Sequence, residues 1–162
     1  MKSLVRLLLP SLLWIGILVA PLTTAFAADI SITAANVVPA TGYRFEDGTA
    51  GATITAGQLL YKDSGDSNKF KLVDNDASAT ASVYGIALNG AASGQPIRVQ
   101  TDGTITIGGT VAVGTIYVSS SNAGGIAPST DLASGDYTSV VGIALTTGTI
   151  SMSIFNGGVA RP

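Results

Sequence analysis

The chain has 162 residues and a formal net charge of −2, with only 11% of its residues charged, a length that fits one domain or two very small ones. It contains no Cys and no His, which removes a disulfide framework, thiolate nucleophiles, Cys-based metal sites and the commonest general base. Its 20 glycines, with Ser, Thr and Ala around short β-branched runs, suit strands and tight turns and leave little material for long helices.

The first segment reads as an export signal. Lys2 and Arg6 make a short positive region, and an apolar stretch follows from Leu7 to Leu22, interrupted at Pro10 and Pro21. Ala25 and Ala27 then stand in the small-x-small arrangement of a signal-peptidase site. The apolar run falls short of the roughly 20 residues that a membrane span prefers. Residues 1–27 are therefore expected to be a cleaved signal peptide, with no membrane segment left in the mature chain. The basic residues that remain, Arg44, Lys62, Lys69, Lys71, Arg98 and Arg161, are scattered and outnumbered by the acidic ones. They form no electrostatic footprint for nucleic acid or an anionic membrane.

Past the signal, strands are expected in quick succession. Ile30–Thr33 alternates apolar and polar residues, and Gly48–Gly51 is a turn cluster. Strands at Gln58–Lys62 and Lys69–Val73 flank a hairpin loop at Asp63–Asn68. Val83–Leu88 reads as a buried strand. Strands at Pro96–Gln100 and Thr104–Ile107 flank Asp102-Gly103, a pair that predicts a tight hairpin. Val111–Val113, Ile116–Ser119, Val140–Leu145 and Thr149–Phe155 complete the series.

The chain also echoes itself. Gly85-Ile86-Ala87-Leu88 recurs as Gly142-Ile143-Ala144-Leu145, an offset of 57 that also carries Gly57 onto Gly114 and Val83 onto Val140. Two repeats, 51–99 and 108–156, predict a duplicated β unit and an all-β fold, a small sandwich or barrel with pseudo-symmetry. The period is long for a solenoid repeat.

Residues that could carry chemistry are few. Glu46-Asp47 and Asp74-Asn75-Asp76, with Asp63 and Asp66, are the close acidic groupings. A glycosidase needs two carboxylates across a cleft, usually with aromatic platforms, and the one Trp, Trp14, lies in the signal. Such acids are at home in polar turns. Asp63, Asp66 and Asn68, or Asp74, Asp76 and Ser78, offer oxygen ligands for calcium, but neither set matches an EF-hand loop. There is no Gly-x-Ser-x-Gly elbow, no Gly-Lys-Ser/Thr phosphate loop and no Asn-x-Ser/Thr sequon. No catalytic residue, cofactor site or metal site is assigned, and the chain is expected not to be an enzyme.

A set of motifs in fixed order then points further. Asp29–Val37, Gly48–Gln58, Gly85–Ala92, Gly94–Gln100, Gly124–Pro128 and Gly135–Tyr137 resemble, together, the small phage capsid decoration or head-fibre-like proteins. The resemblance covers Asp29 to Val159. It implies an all-β fold with an extended N-terminal arm at 28–47 before a β domain at 48–162. It also implies a non-catalytic homo-oligomer, a trimer, on a shell of major capsid protein. Ile30, Ile32, Val37 and Val38 would be the assembly residues of the arm, adding a strand to a neighbour's sheet edge, with Pro39 limiting the strand. A virion location is then expected. The signal departs from that pattern, since capsid proteins assemble without export. The alternative is an exported cell-surface or filament subunit that polymerises by donating Ile30–Val38. A secreted carbohydrate-binding module has little aromatic material to draw on.

Overall fold

A computed structural model of the chain describes residues 28–162; the signal-peptide reading of residues 1–27 lies outside the described residues. The described chain is all β. Its strands are β1 (Val37–Pro39), β2 (Arg44–Thr49), β3 (Leu59–Asp63), β4 (Lys69–Leu72), β5 (Gly85–Ala87), β6 (Pro96–Ile107), β7 (Ile116–Ser119), β8 (Ile126–Pro128), β9 (Tyr137–Ala144) and β10 (Thr149–Ala160). Three single-turn 3-10 helices accompany them.

The strand order is a palindrome. Antiparallel neighbours run β4-β3-β5-β6-β10-β9-β7-β8, with β1 and β2 also paired to β6. A first unit, β4-β3-β5-β6, meets its mirror in strand order, β8-β7-β9-β10, where β6 pairs with β10. The internal echo is thus a structural duplication. Leu59↔Ile86 and Leu60↔Gly85 in the first unit recur as Ile116↔Ile143 and Tyr117↔Gly142 in the second. Gly85 and Gly142 explain why the repeated motif starts with glycine. A Cβ at Gly85 would overlap the Gln100 carbonyl oxygen, and one at Gly142 the Ser151 carbonyl oxygen, each on the neighbouring strand.

The expected hairpin at Asp102-Gly103 is not formed. β6 runs straight through it for 12 residues. Gly103 has φ of 92°, and the β2 register slips between Arg44↔Asp102 and Phe45↔Gln100. The glycine therefore serves a β-bulge, which draws on the same left-handed backbone that a tight turn would use. The two halves of β6 fail to pair with each other because each finds other partners. Residues 96–102 pair with β2 and β5, and residues 103–107 with β1 and β10. The buried Gln100 amide donates to the Asp102 and Thr104 carbonyls at 3.1 and 3.2 Å, on either side of Gly103 and just past the register slip.

The bulge shifts side-chain alternation along β6, so one strand serves two cores. Ile97 and Val99 enter a smaller core with Ile54, Leu60, Phe70, Ala87 and Ala91. Ile105 and Ile107 enter a larger one with Leu59, Val73, Ile86, Tyr117, Ile126 and Ile150. The first unit closes around the smaller core. A bridge between Ala50 and Phe70, with the Gly51 N–H donating to the Phe70 carbonyl at 2.7 Å, ties the end of β2 to β4. The second unit is a half-barrel, and residues 30–39 bridge its open side. The Ile30 N–H donates to the Ile126 carbonyl and the Thr33 N–H to the Gly108 carbonyl, both at 2.8 Å, before β1 pairs with residues 105–107.

Other expectations shift at their edges. Ile30–Thr33 is extended without being a strand, and Val83–Leu88 shortens to β5. Val111–Val113 is a loop whose Val111 still fills the larger core. Arg44–Thr49, placed largely in the arm on sequence, is β2 of the first unit, and β8 was not expected at all. Both contain residues of low strand propensity, Asp and Gly in β2 and Pro in β8, which tertiary pairing overrides.

Gly85→Ala and Gly142→Ala should each lower stability by about 2–3 kcal/mol, because an inserted methyl must push two paired strands apart. Gly148→Ala, with open space around it, should be near neutral. Urea unfolding midpoints of the three variants test this.

Candidate functional site

The acidic pair Glu46-Asp47 is split by the alternation of β2. Successive strand residues face opposite ways, and the two carboxylates have separate partners. Glu46 accepts from the Lys62 ammonium and the Tyr84 hydroxyl. The Lys62 nitrogen stands 4.3 Å from the centre of the Tyr84 ring and 5.5 Å from that of Phe70. Asp47 takes a fork from Arg98, with Nε at 2.7 Å and Nη2 at 2.9 Å, while the guanidinium lies 4.2 Å from the Phe45 ring centre. A shallow, open depression next to this pair is lined by Leu88, Asn89 and Pro96. The two acids are not poised across one cleft as glycoside hydrolysis requires.

The oxygen-bearing side chains weighed above as possible calcium ligands have partners of their own. Lys71 contacts Asp63 at 2.8 Å and Asp66 at 3.0 Å, and Lys69 contacts Asp66 at 2.8 Å. Asn68 sits in left-handed backbone at the hairpin. Asp74 accepts the Asp76 N–H at 3.0 Å, a turn contact within its own loop. Among the described residues no group of three or more His, Cys, Asp or Glu could hold a metal ion.

One carboxylate is held unfavourably. Asp131 lines a small, partly open cavity of about 20 Å³ with Asn75, Ser119 and Asp136. Its Oδ1, the Asn75 Oδ1 and the Ser119 Oγ are buried without hydrogen-bond partners. Burial, and then the charges of Asp29 and Asp136, push the Asp131 carboxyl up from its ordinary value.

The four residues singled out in the arm lie together on the chain's own β domain. Ile30 and Ile32 pack against the larger core, and Val37 is buried within it. Ile32 and Val37 cover Gly57, which has φ of 93° and no room for a Cβ. Val38 alone points outward. In this structure the segment bonds to β6 and β8 of its own chain.

Sequence reasoning did not single out a second surface. Between Gly103 and Ala160 the only charged residues are Asp131 and Asp136. Among the described residues the ion pairs all belong to the first unit. The outer face of the second unit instead carries Val113, Ile116, Ile143 and Leu145, all exposed. The charge-free run was available in the sequence; which of its residues face outward was not.

A scan against protein-family models finds no match to this chain, and no curated protein sequence matches it.

Hydrogen bonds from Lys62, Arg98, Lys71 and Lys69 hold the carboxyls of Glu46, Asp47, Asp63 and Asp66 below their ordinary values. Their folded values thus lie under their unfolded ones. The stability they contribute is complete above the unfolded range of about pH 4 and is lost as pH falls through the lower folded values. The thermal midpoint should therefore drop between about pH 4.5 and pH 2, less steeply in high salt because these pairs are partly open to solvent. Asp131 runs the other way. Its raised folded value means stability is lost as the carboxyl ionises. Asp131→Asn should raise the thermal midpoint at neutral pH, and the gain should vanish in acid.

Proposed function

We propose that this chain is a non-catalytic structural protein that decorates and stabilises a phage capsid, binding the shell of major capsid protein as a homo-oligomer, a trimer. The structural observation behind this reading is the division of the molecule into a charged unit and a nearly charge-free one. Interfaces that bury their centres are depleted of charge there, and a lone soluble domain usually spreads both signs over its surface. The ordered motifs from Asp29 to Val159 supply the capsid part of the reading.

On this reading the role is mechanical. A ring-closed unit joined through one continuous strand to a half-barrel is stiff without any disulfide. A stiff body bound across subunit borders strengthens a shell by the contact area it adds, and each border it spans must separate before the shell opens. Loops at Asp63–Asn68 and Asp74–Ser78 offer polar surface on the charged unit.

The alternative, an exported surface or filament subunit, is favoured by Ala25 and Ala27 in their small-x-small arrangement. Strand donation by Ile30–Val38 would first have to release the Ile126, Gly108 and β6 bonds that this segment makes at home.

Cosedimentation with shells assembled from the major capsid protein of the same genome tests the proposal. The protein should pellet with assembled shells to a fixed stoichiometry, ignore unassembled subunits and raise the temperature at which shells disrupt. Absence from the pellet, or recovery of the native protein from culture medium with Ala28 as its first residue, would overturn it.

A further inference from the structure

The two ends of the curled sheet meet at a pair of loops. β4 and β8 stand at opposite ends of the strand order. The loops that follow them are equivalent in the repeat, since the offset of 57 places Asp74 on Asp131. Backbone bonds draw the first loop against the second unit. The Gly124 N–H donates to the Val73 carbonyl at 2.7 Å, the Asn75 N–H to the Ser120 carbonyl at 3.3 Å and the Tyr137 N–H to the Asn75 carbonyl at 2.8 Å. The small cavity beside Asp131 lies at this seam, with Asn75 from the first unit and Ser119, Asp131 and Asp136 from the second.

The cavity is lined by oxygen that nothing in the chain bonds. Asn75 is 1% exposed and Ser119 0%. The Asn75 Nδ2 donates to the Ser119 carbonyl at 3.1 Å, which fixes the amide and leaves its oxygen over. Asn75 Oδ1, Ser119 Oγ and Asp131 Oδ1 are all buried without a hydrogen-bond partner, and each is costly unless something else satisfies it. Asp136 gives only one oxygen away, its Oδ2 accepting the Ala133 N–H at 2.8 Å. Asp29 adds a third negative charge close by. Among the described residues none of these three acids has an ion pair. The nearby Arg161 turns its guanidinium to the Leu132 carbonyl instead.

We propose that this cavity is a calcium site at the seam of the two units, held by Asn75 Oδ1, Ser119 Oγ and the carboxylates of Asp131 and Asp136. The proposal does not rest on the capsid reading. The cavity admits one body the size of a water molecule. A water would bond two of the free acceptors but bring no charge to a carboxylate that faces two others. An oxygen-only set selects a hard cation, and two carboxylates match a divalent one. Magnesium demands a near-ideal octahedron and keeps most of its waters, whereas calcium accepts amide, hydroxyl and carboxylate oxygens in irregular array. Two acids are fewer than an all-carboxylate cluster needs, so neutral oxygens and water from the open side make up the shell. Bound there, calcium ties the loop after β4 to the loop after β8 and clips the two ends of the sheet together.

Calorimetric titration of the chelator-treated protein with calcium chloride is the test, joined to thermal unfolding. One calcium should bind per chain, with a dissociation constant of about 10⁻⁴–10⁻³ M, the weak end of calcium sites. In about 10 mM calcium the thermal midpoint should rise by roughly 5–10 °C, and magnesium at the same concentration should not match it. Asp131→Asn should weaken binding at least about ten-fold. That variant should melt above the native protein in chelator and below it in calcium, a reversal that a merely structural aspartate would not produce. Asp136→Asn, at a less buried position, decides the matter if Asp131→Asn does not fold. Asp63→Asn should leave binding unchanged. No binding of calcium would overturn the proposal and leave water in the cavity. An equal response to magnesium, or binding that survives Asp131→Asn and Asp136→Asn but is lost in Asp63→Asn, would overturn it as well.

Discussion

Everything in this fold turns on β6. It is a single strand of 12 residues that belongs to two units, and the extra residue at its centre decides how they sit. Without the bulge, side chains would alternate evenly along it, and Ile97, Val99, Ile105 and Ile107 would line one face. With it, the first pair fills one core and the second pair another. Gly103 is the residue that permits this. Its positive φ is open to glycine at little cost, and the Asp102 carboxylate accepts its N–H at 2.7 Å. Gln100, fully buried, gives its amide hydrogens to the carbonyls on either side of Gly103. A polar side chain in the middle of a core is costly unless it is bonded, and here the bonds secure the joint.

The consequence is a head-to-tail stacking of like on like. The outer face of the first unit, Leu59 and Ile86, packs on the inner face of the second, Tyr117 and Ala144. Such an arrangement leaves one face of each kind over. The inner face of the first unit is sealed by β2 and by the loops that carry Ile54 and Ala91. The outer face of the second unit has no cover within the described chain. A closed two-fold pair would leave no such remainder, so the exposed apolar row is a by-product of the same bulge that builds the core.

Charge follows this geometry. The cations Lys62, Lys69, Lys71 and Arg98 each contact a carboxylate of the first unit, and Phe45, Phe70 and Tyr84 lie beneath two of them. These pairs, near the surface, contribute little stability individually, and they leave the charge of the molecule concentrated in its first unit. The acids of this unit are each bonded to a cation or turned into their own loop.

Much of this was legible in the chain itself. The all-β class follows from Gly, Thr and Val usage, the duplication from Gly-Ile-Ala-Leu recurring at one offset, and the hairpin at Asp63–Asn68 from its polar run between two apolar ones. These are local or self-referential signals, and local signals survive folding. What stayed hidden depends on partners far away in sequence. Asp102-Gly103 has the chemistry of both a turn and a bulge, and only the competing claims of β2, β5, β1 and β10 on β6 decided for the bulge. Ile30, Ile32 and Val37 read as apolar and extended in either setting, and only the gap between β6 and β8 drew them onto their own chain. Ile116 and Ile143 are as apolar as Leu59 and Ile86. That one pair is core and the other surface is a fact about where two copies of one unit were joined, which the composition of neither copy contains.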